Sequence, residues 1–548
     1  MALNLERYKI LIVDNVREMR TSLRGISKSL GAQTIYEAKS GAEAIEQLQT
    51  HDVDIVLSDY MLGAGRDGLQ VFEEAKEFGM IAPHAAYIII TAEDTKDVVM
   101  AVVEHSPDDY LVKPLNKAAL EVRLEKVLHR KRVFKEIEAQ TMAGNFAKAA
   151  AICDLMVGRN AELHLDLLHA KAEALIQAGD AEHAAELSAG ILVEQEVPWA
   201  TVCMGRASYL MGNIVKARLL FEKAIKQDLT LMEAYDRLVH LDRETGEPES
   251  AQKTLQQAVE LSPKSIRRHQ LLADLAVENG DYETAREAFE AAVDLGIHSC
   301  FSRVDDQVGF VNAVAETRGA EAALEVLIEL SDSPARTGAS SQAEPDWRLD
   351  LSHGEILLAN ERAVDAKTAI EKALKGYRAE PHDTAGPSVI ALAQACYAVG
   401  MTVEAQTLMD RIVRENHDRD DILTAARDMF SALGLEGVGN DLIENARRAV
   451  IEINNRGVQL AKERKLDDAV DLLAQASDEL PGNLTITLNV LRVILSQMGE
   501  TGYTNQRQYM INEYIKRAER IDARSPKLAK MRENVSHVRQ MAEQQVVA

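Results

Sequence analysis

Four side chains near the start of the chain have the chemistry to hold one phosphoryl group: Asp14, Asp59, Thr91 and Lys113. A carboxylate can attack phosphorus and form an aspartyl-phosphate, and Asp59 is the predicted nucleophile. The ammonium of Lys113 and the hydroxyl of Thr91 can contact the phosphoryl oxygens, because phosphoryl transfer is promoted mainly by positioning and charge neutralisation. Asp14 and Asp59 offer the carboxylates by which proteins usually hold Mg²⁺ beside a phosphate.

Each of these residues ends or directly follows a short apolar run. The runs are YKILIV, DIVLS, YIII and YLV, and segments of helix length separate them. Runs of this kind predict buried parallel strands of a doubly wound α/β domain. Because ligands bind at the carboxyl ends of the strands in such a sheet, side chains far apart in sequence are predicted to share one acidic pocket.

Four motifs at these predicted strand ends carry a resemblance to a known family: LIVDNVREMR, VLSDYML, IIITAEDT and DDYLVKP. In this order they resemble the receiver domain of bacterial response regulators. The resemblance implies that residues 1–130 form a receiver domain with a flavodoxin-like sheet of five parallel strands in the order 2-1-3-4-5. It also implies that a sensor histidine kinase or a phosphotransfer protein phosphorylates Asp59.

The same resemblance implies roles for individual residues. Thr91 is implied as the switch residue, Lys113 as the phosphate contact and Tyr110 as the aromatic side chain that moves on activation. The peptide bond before Pro114 is implied to be cis, which an X–Pro bond adopts at modest cost. Apart from an autophosphatase activity, no enzymatic activity is expected.

Two departures from the family pattern bear on the metal. Asn15 stands where the family has a second acid that ligates Mg²⁺, so one negative charge is lost and the Mg²⁺ affinity is expected to fall. The segment LGAGRDG lacks the usual proline and has one more residue before Gly68. This change affects the loop that carries the backbone carbonyl of Met61, which the resemblance implies as a further metal ligand.

The family's two positions that tune the lifetime of the phosphoryl group correspond to Met61 and Glu93. An apolar Met61 cannot orient an attacking water by hydrogen bonding, so a persistent phosphoryl group is predicted. The set of Asp59, Thr91 and Lys113 favours phosphorylation. Asn15 favours the alternative, a receiver that folds and is never phosphorylated.

The composition restricts the class of protein. A chain of 548 residues is too long for one core, so several domains or a repeat array are expected. Its 62 Lys and Arg against 87 Asp and Glu give a formal charge of −25, which predicts solubility and repulsion of nucleic acid. With 4% aromatic and 46% hydrophobic residues, the chain favours stacked helices over β-sandwiches.

The sequence also indicates the compartment. It has neither an apolar run long enough for a membrane span nor a signal-peptide pattern, so a cytoplasmic location is expected. Its cysteines lack the spacing of a disulfide framework or a zinc site. We therefore predict free thiols packed within helices, at Cys153, Cys203, Cys300 and Cys396.

Beyond about residue 140 a repeat replaces the strand signals. Glycines recur at steps of 33, 34 and 34 residues, at Gly179, Gly212, Gly246 and Gly280, and an alanine follows each of them five positions later. This period belongs to the tetratricopeptide repeat, a helix–turn–helix unit. Small residues let the two helices of a hairpin approach closely, and a bulky residue fills the space between adjacent hairpins.

Four segments resemble tetratricopeptide repeats closely: PWATVCMGRASYLMGNIVKARLLFEKAI, YDRLVHLDRETGEPESAQKTLQQAVELSP, LLADLAVENGDYETAREAFEAAV and NNRGVQLAKERKLDDAVDLLAQASDELP. The resemblance implies that residues 131–548 form an all-α superhelical solenoid whose groove binds a peptide or a partner helix. The residues predicted to serve packing and turns are Gly205, Gly212, Ala217, Phe221, Ala224, Ala251, Ala258, Ala285, Phe289, Ala292, Gly457, Ala469 and Ala476.

Two segments of the array lack the repeat pattern. A loose loop is predicted at about residues 331–346, which are rich in small polar residues, and a terminal capping helix at about residues 525–544.

Candidate groove residues are Tyr209, Asn455 and Arg456, and a solvated helix face is the alternative interpretation for each.

The segment KVLHRKRVFKEIEAQ joins the two halves without Gly or Pro, so a long helix is predicted there. Its HRKR cluster is interpreted as a solvated helix face or as intramolecular salt-bridge partners rather than as a nucleic-acid site.

These patterns lead to three functional hypotheses. The first is a two-component response regulator whose output is a protein–protein contact through the repeats, signalled through the face of the receiver's fourth helix, last strand and last helix. The second is a constitutive scaffold with a degenerate receiver that serves for binding or homodimerisation. The third is a phosphotransfer component whose receiver acts as a phosphate sink.

Overall fold

The structure is a computed structural model of the chain, and two compact units make up its fold. The first unit comprises Met1–Gly319 and Ile328–Ala343, and the second comprises Ala320–Leu327 and Glu344–Ala548. The residues that the structure describes are 3–92, 100, 104–332, 346–379, 386–501, 504–522, 525–532, 534 and 535.

Five short apolar segments form one parallel sheet in the first unit. The bounds are β1 Lys9–Val13, β2 Thr34–Ala38, β3 Ile55–Asp59, β4 Ala86–Thr91 and β5 Asp109–Val112. The strands follow one another in the order β2-β1-β3-β4-β5, so the predicted doubly wound sheet and its strand order are confirmed. Strands β3 and β4 are buried along their whole length, as expected of a sheet covered on both faces.

Helices cover both faces of this sheet. Leu23 of helix Arg17–Ser29 packs on one face, in a core with Ile10, Ile12 and Leu120. On the other face, helices Gly41–Thr50 and Gly68–Glu77 contribute apolar side chains to a second core. The layers therefore hold the strand ends in fixed positions relative to one another.

The 26-residue helix Lys117–Met142 packs both against the sheet and against the helices that follow it in the first unit. Leu120 and Leu124 lie in the core beside the sheet, whereas Phe134 and Ile137 pack with the helices that follow. The predicted long helix is thus present. The domain boundary predicted between residues 130 and 131 lies inside it and stays a prediction from the sequence patterns.

Short helices joined by tight turns follow in the first unit. Their bounds are Phe146–Val157, Ala161–Leu163 (a 3₁₀ turn), His164–Gln177, Ala181–Glu194, Pro198–Leu210, Ile214–Gln227, Met232–Glu244, Pro248–Leu261, Ile266–Glu278, Tyr282–Leu295 and Val304–Arg318. Helix Ala320–Asp332 comes next along the chain.

Every secondary-structure element that the structure describes in the second unit is a helix. Its helices are Trp347–Ala359, Ala363–Ala379, Gly386–Ala398, Thr402–Glu415, Asp420–Ala432, Glu436–Lys462, Leu466–Glu479, Leu484–Thr501 and Asn505–Asp522. The 27-residue helix Glu436–Lys462 merges the poorly matching segment before residue 450 with the start of the last well-matched repeat, because no proline interrupts it.

Two predicted segments lie largely outside the described residues. Of the loop predicted at 331–346, residues 331 and 332 belong to helix Ala320–Asp332, and residues 333–345 are not described. Of the capping helix predicted at 525–544, residues 526–532 are helical.

Within the described ranges, no helix combines the length and the apolar character needed to cross a membrane.

The turns between helices explain the recurring glycines. Gly179, Gly212, Gly246 and Gly280 have φ angles of 77°, 77°, 74° and 72°, a region that residues with a β-carbon rarely adopt. Arg464 has a φ of 61° and follows Gly457 at the distance by which Gly212 follows Gly205. The glycines therefore recur with the period of the repeat because each of these glycines lies in the turn between two helices.

Candidate functional site

The four candidate residues lie at the carboxyl edge of the sheet. Asp59 is the last residue of β3 and Thr91 the last of β4, while Asp14 directly follows β1 and Lys113 directly follows β5. Asp14 and Asp59 are 1% and 7% exposed, and Thr91 is fully buried. The parallel register of the strands brings the ends together although the residues span about a hundred positions of sequence.

Lys113 joins the two carboxylates. Its ammonium nitrogen donates hydrogen bonds to Oδ2 of Asp14 and to Oδ2 of Asp59, each at 2.9 Å. The backbone N–H of Lys113 donates to the carbonyl oxygen of Thr91 at 2.7 Å. The ammonium of Lys113 is thus hydrogen-bonded to both carboxylates, and the backbone of Lys113 is hydrogen-bonded to the end of β4.

Burial and charge shift the protonation of this group. Burial raises the pKa of Asp59 above its usual value, and the neighbouring Asp14 charge adds to this effect, against the opposing influence of Lys113. For Lys113, burial acts to lower the pKa, but its hydrogen bonds and charge attraction to Asp59 and Asp14 outweigh it, so the pKa is raised. Two carboxylates against one ammonium leave surplus negative charge. This oxygen donor set fits a hard divalent cation such as Mg²⁺.

The backbone around Asp14 orients its carboxylate. Its Oδ1 accepts a hydrogen bond from the backbone N–H of Val16 at 2.8 Å, and its carbonyl oxygen accepts one from Arg20 at 2.7 Å. Asp14 N–H donates to Ala38 on the neighbouring strand. Asp14 is therefore positioned by the start of helix Arg17–Ser29 and by β2.

The other implied metal ligands are solvent-exposed. Asn15 is exposed, and its Nδ2 lies 3.4 Å from the point where a β-carbon on Gly63 would stand. The Met61 side chain is 50% exposed. Gly63 of the loop after Asp59 thus lies beside Asn15, and the ligand roles of Asn15 and of the Met61 carbonyl stay predictions.

The loop after Asp59 returns to the strand at Gly68. The N–H of Gly68 donates to the carbonyl oxygen of Tyr60 at 2.8 Å, and Tyr87 donates from its hydroxyl to the Gly68 carbonyl at 2.9 Å. Asp67 and Gln70 form a capping box at the start of helix Gly68–Glu77. The longer loop therefore ends in a fixed helix start.

Tyr110, implied as the aromatic side chain that moves on activation, lies on β5. Tyr110 is half-buried and packs against the core on the Gly68–Glu77 side of the sheet. Its carbonyl oxygen accepts a hydrogen bond from Arg123 at 3.2 Å. The Lys113–Pro114 peptide bond is cis, as the resemblance implied. Glu93 lies outside the described residues.

The residues predicted to pack the repeats are buried. A β-carbon on Gly205 would lie 2.5 Å from a ring carbon of Phe221, and one on Gly457 would lie 2.5 Å from Leu473. Only hydrogen at these positions allows the helices to approach so closely. All of the predicted packing alanines are buried, namely Ala217, Ala224, Ala251, Ala258, Ala285, Ala292, Ala469 and Ala476, as are Phe221 and Phe289.

The candidate groove residues differ in their contacts. The Tyr209 hydroxyl donates a hydrogen bond to Glu244, whereas Asn455 and Arg456 are exposed on helix Glu436–Lys462. Tyr209 belongs to the first unit and the other two belong to the second. Their role in binding stays a prediction.

The basic cluster of the long helix forms intramolecular pairs. Nε of Arg130 lies 3.5 Å from Oδ2 of Asp166, and Nζ of Lys131 lies 2.9 Å from Oδ1 of Asp108. These partners are acids of the repeats and of the receiver, respectively. This arrangement agrees with the interpretation of the cluster as salt-bridge partners.

The structure also brings together residues that the sequence did not single out. His169, Glu173 and Cys203 have ligand atoms within 4.8 Å of one another, but the guanidinium of Arg206 already bonds Glu173. Burial raises the pKa of the Cys203 thiol far above its usual value, which disfavours a thiolate ligand. All four cysteines are free thiols, as predicted, and Cys153, Cys203 and Cys396 are buried within helices. The predicted place within a helix is wrong for Cys300, which lies half-buried in the turn between helices Tyr282–Leu295 and Val304–Arg318.

A turn of the repeats contacts the receiver beside the pocket. Lys264 donates a hydrogen bond to the hydroxyl of Tyr60 at 3.1 Å, and Arg268 forms an ion pair with Glu104. Nothing in the local sequence pattern signals these pairs, because the partners are separated by more than one hundred and fifty residues.

Comparison with known proteins agrees with this geometry. Residues 10–125 match the response regulator receiver domain family, and residues 242–295 match a tetratricopeptide repeat family. The chemotaxis protein CheY-3 of Vibrio cholerae is 29% identical over 122 residues, which cover 22% of this chain and 92% of that protein. The response regulator MprA of Mycobacterium ulcerans is 31% identical over 139 residues, which cover 25% of this chain and 58% of that protein.

Part of this chain is also similar to a solved structure. The CheY-like response regulator receiver domain protein of Methanospirillum hungatei is 21% identical, with 23% of this chain and 96% of that chain covered and a TM-score of 0.21. From the family matches, this chain carries an N-terminal receiver domain of the response regulator family. Tetratricopeptide repeats follow it, so the resemblance predicted from the motifs is confirmed.

Proposed function

We propose that this protein is a response regulator that is phosphorylated on Asp59 and signals through protein contacts of its tetratricopeptide repeats. The observation that carries the proposal is the pair of 2.9 Å hydrogen bonds from Lys113 to Asp14 and Asp59. They combine a buried nucleophile, a second carboxylate and a fixed cation in one pocket. These are the groups that phosphoryl transfer to a carboxylate requires.

In the proposed reaction, a carboxylate oxygen of Asp59 attacks phosphorus of a phosphohistidine on a sensor kinase or phosphotransfer protein. The new P–O bond forms as the P–N bond of the donor breaks, and the imidazole leaves with the electron pair and takes up a proton from solvent. Lys113 moves its ammonium from the carboxylate to a phosphoryl oxygen. The Thr91 hydroxyl binds another oxygen, and Tyr110 follows this movement as the proposed aromatic switch.

The divalent cation in this proposal is held by Asp14 and Asp59, with Asn15 and the carbonyl of Met61 as further proposed ligands. When bound, Mg²⁺ neutralises charge on the phosphoryl oxygens. An amide at Asn15 supplies an oxygen donor without charge, so the proposed site binds Mg²⁺ weakly. At the proposed lifetime-tuning position, the apolar Met61 side chain leaves an attacking water without a hydrogen-bond partner, so the phosphoryl group persists.

The proposed output is a protein contact. The chain carries a formal charge of −25, which disfavours binding to DNA or RNA. Arrays of helical hairpins bind peptides or helices in their grooves, and Tyr209, Asn455 and Arg456 are the proposed contact residues. Phosphorylation then shifts the population between arrangements that bind the partner and arrangements that do not.

Labelling tests the first step of the proposal. The full chain is incubated with Mg²⁺ and a small acyl phosphate such as acetyl phosphate, and the phosphoryl group is detected by intact mass. We expect labelling of the wild type and of Asp52→Asn, an exposed acid of the same domain, and none of Asp59→Asn. An unlabelled wild type contradicts the proposal and favours the constitutive scaffold.

Partner capture tests the output. Proteins retained by the wild-type chain with and without acyl phosphate are compared with those retained by Asp59→Asn. We expect at least one protein whose retention depends on the donor in the wild type alone. A labelled chain that retains the same proteins in both conditions, and passes its phosphoryl group rapidly to a histidine-containing protein, indicates a phosphate sink instead.

A further inference from the structure

Two turns of the second unit contact each other although they are not neighbours along the chain. The first turn, residues 416–419, follows helix Thr402–Glu415, and the second, residues 480–483, precedes helix Leu484–Thr501. Both turns belong to the same compact unit. We call the contact between these two turns, with the helix ends beside them, the turn clasp.

Asn483 is fully buried in the turn clasp, and its side-chain amide has three partners. Its Oδ1 accepts a hydrogen bond from the backbone N–H of Ile486 at 3.0 Å, and its Nδ2 donates to the carbonyl oxygen of Arg414 at 2.8 Å. Nδ2 also lies 3.0 Å from Nδ1 of His417. Because a backbone N–H can only donate and a carbonyl oxygen can only accept, these partners fix which end of the amide faces His417.

The orientation of Asn483 determines the protonation state of His417 in the closed clasp. The amide nitrogen only donates, so Nδ1 of His417 is the acceptor and the neutral ring carries its proton on Nε2. A proton on Nδ1 would place two donors 3.0 Å apart and leave one N–H of Asn483 without an acceptor. His417 is 7% exposed, so water does not readily replace the lost partner. The closed clasp therefore disfavours the imidazolium form of His417.

The charged side chains that act on His417 are Asp418 beside it and Arg447 and Lys527 from other helical segments. Burial lowers the pKa of His417 below its usual value, and the charges of Arg447 and Lys527 lower it further, against the opposing charge of Asp418. Asp418 accepts hydrogen bonds from Lys527 at 3.0 Å and from the hydroxyl of Thr485 at 2.8 Å. Burial acts to raise the pKa of Asp418, but these hydrogen bonds outweigh it, so the pKa is lowered and the carboxyl stays ionised while histidine titrates.

The other ionisable side chains next to His417 on its own segment are paired with one another. Nε of Arg414 lies 2.8 Å from Oδ2 of Asp410, and Nε of Arg411 lies 3.1 Å from Oε1 of Glu415. Histidine is the side chain whose charge ordinarily changes between about pH 5 and 8. His417 is therefore the group of the turn clasp that responds to acid in this range.

The turn clasp connects two apolar cores of the second unit. Ile412, just before the first turn, lies in one core with Ile443, and Ile486, just after the second turn, lies in another core with Val450. Helix Glu436–Lys462 carries both Ile443 and Val450, so this helix is one connection between the cores. The turn clasp is a further connection, made by side chains. While the clasp is closed, it restricts the angle between the two cores.

We propose that the turn clasp is a proton-sensitive switch, closed while His417 is neutral and opened when His417 takes up a proton. The open form binds the proton more tightly than the closed form, so acid favours opening. With the ordinary histidine pKa of about 6.5, about ten in eleven exposed imidazoles are protonated at about pH 5.5, which favours opening up to about tenfold relative to about pH 7.5. Opening lets the angle between the two cores change. The switch does not depend on the proposed phosphorylation of Asp59.

Backbone hydrogen exchange on the full chain tests the switch. The amides of Asn483 and Ile486 are followed between about pH 5.5 and about pH 7.5, and each rate is divided by the rate of an unstructured chain at the same pH. We expect the corrected exchange of the wild type to be about fivefold to tenfold faster at the lower pH. His353, half-buried on helix Trp347–Ala359, provides the matched control, and His353→Asn is expected to keep this dependence.

Substitution of His417 provides the second arm of this experiment. In His417→Asn an amide oxygen replaces Nδ1 as an acceptor that does not titrate, so slow exchange is expected at both pH values. In His417→Lys a charged donor replaces the acceptor, so rapid exchange is expected at both. The acid dependence is expected to vanish in both variants and to remain in Asp418→Asn, because Asp418 is not the group that titrates.

A third measurement needs no variant. The rate at which the C2 hydrogen of the imidazole exchanges, followed by mass spectrometry as a function of pH, gives the pKa of His417 in the wild-type chain. We expect this pKa to lie below the ordinary value of about 6.5, because the closed clasp disfavours the imidazolium form.

Each contrary result overturns the switch. If the corrected exchange of the wild type is the same at both pH values, protonation does not open the turn clasp. If the acid dependence remains in His417→Asn, another group titrates. If the pKa of His417 equals or exceeds the ordinary histidine value, the closed clasp does not disfavour the proton. None of these results bears on the proposed phosphorylation of Asp59, which is tested separately by labelling.

Discussion

A β-carbon on Gly68 would lie 2.0 Å from the carbonyl oxygen of Asp59. The first residue of helix Gly68–Glu77 therefore touches the backbone of the candidate nucleophile, and only glycine allows this approach. The same residue donates its N–H to Tyr60 and accepts from Tyr87. The start of this helix and the end of β3 are thus in direct contact, and this contact fixes the position of Asp59 despite the longer loop between them.

The first prediction follows from this contact. Gly68→Ala is expected to destabilise the receiver by about 2–3 kcal/mol, because the backbone must shift to admit the methyl group. Gly25→Ala is the matched control: Gly25 lies on an exposed helix face with no atom within 4 Å of the added carbon, so a gain of about 0.5–1 kcal/mol is expected. Native-state hydrogen exchange of β3 amides measures both, and equal effects of the two variants would contradict the argument.

A second prediction concerns pH. The pKa of Asp59 is raised by burial, so the folded state binds the proton more tightly than the unfolded state and loses stability as pH rises through that window. Asp59→Asn is therefore expected to stabilise the receiver by about 1 kcal/mol at neutral pH without Mg²⁺. The difference is expected to shrink as pH falls and the wild-type carboxyl becomes protonated. Thermal unfolding of both proteins between acid and neutral pH measures it, and a pH-independent difference would contradict it.

The third prediction concerns the metal. Asn15→Asp adds a carboxylate beside the pocket of Asp14 and Asp59 and is expected to raise the Mg²⁺ affinity about tenfold, which corresponds to about 1.4 kcal/mol. Gln49→Glu adds the same charge on an exposed helix of the receiver and is the control. Calorimetric titration with Mg²⁺ measures the two affinities. Equal affinities in Asn15→Asp and wild type would remove Asn15 from the proposed ligand set.

A fourth prediction concerns the close approach of helices in the repeats. Gly205→Ala is expected to cost about 1–3 kcal/mol, because the methyl group would overlap the Phe221 ring. Gly190, on the exposed face of helix Ala181–Glu194, has no atom within 4 Å of an added β-carbon, so Gly190→Ala is expected to be neutral or slightly stabilising. Local hydrogen exchange in the affected hairpin measures each change, since an array of this length need not unfold in one step.

The fifth prediction concerns the turn of the last well-matched repeat. Arg464 has a φ of 61°, where earlier repeats carry glycine, and a left-handed conformation costs other residues about 1–2 kcal/mol. Arg464→Gly is expected to return about 1 kcal/mol after its entropic cost in the unfolded chain is counted. Gly212→Ala, at φ 77°, is the converse variant and is expected to destabilise its hairpin by a similar amount. Urea unfolding followed by local exchange measures both, and a destabilised Arg464→Gly would show that another contact of Arg464 dominates.

Local patterns predicted most of the elements. Short apolar runs predicted the strands, and the polar residue at the end of each run predicted which side chains meet, because the carboxyl ends of parallel strands share one edge. The period of the glycines predicted the turns of the repeats, since a left-handed φ is a local requirement. Helix Glu436–Lys462 was harder to predict, because a long helix without proline has no local signal that marks where one repeat ends.

The sequence by itself determined the pocket residues Asp14, Asp59, Thr91 and Lys113 and the repeating hairpins, because each depends on interactions within a few residues or on a regular sheet. Only the tertiary structure decided that the turn of Lys264 rests on Tyr60 and that Arg268 pairs with Glu104. These contacts join segments more than one hundred and fifty residues apart. The geometry of these contacts depends on the orientations of all the helices between the two segments, and no local sequence pattern encodes those orientations.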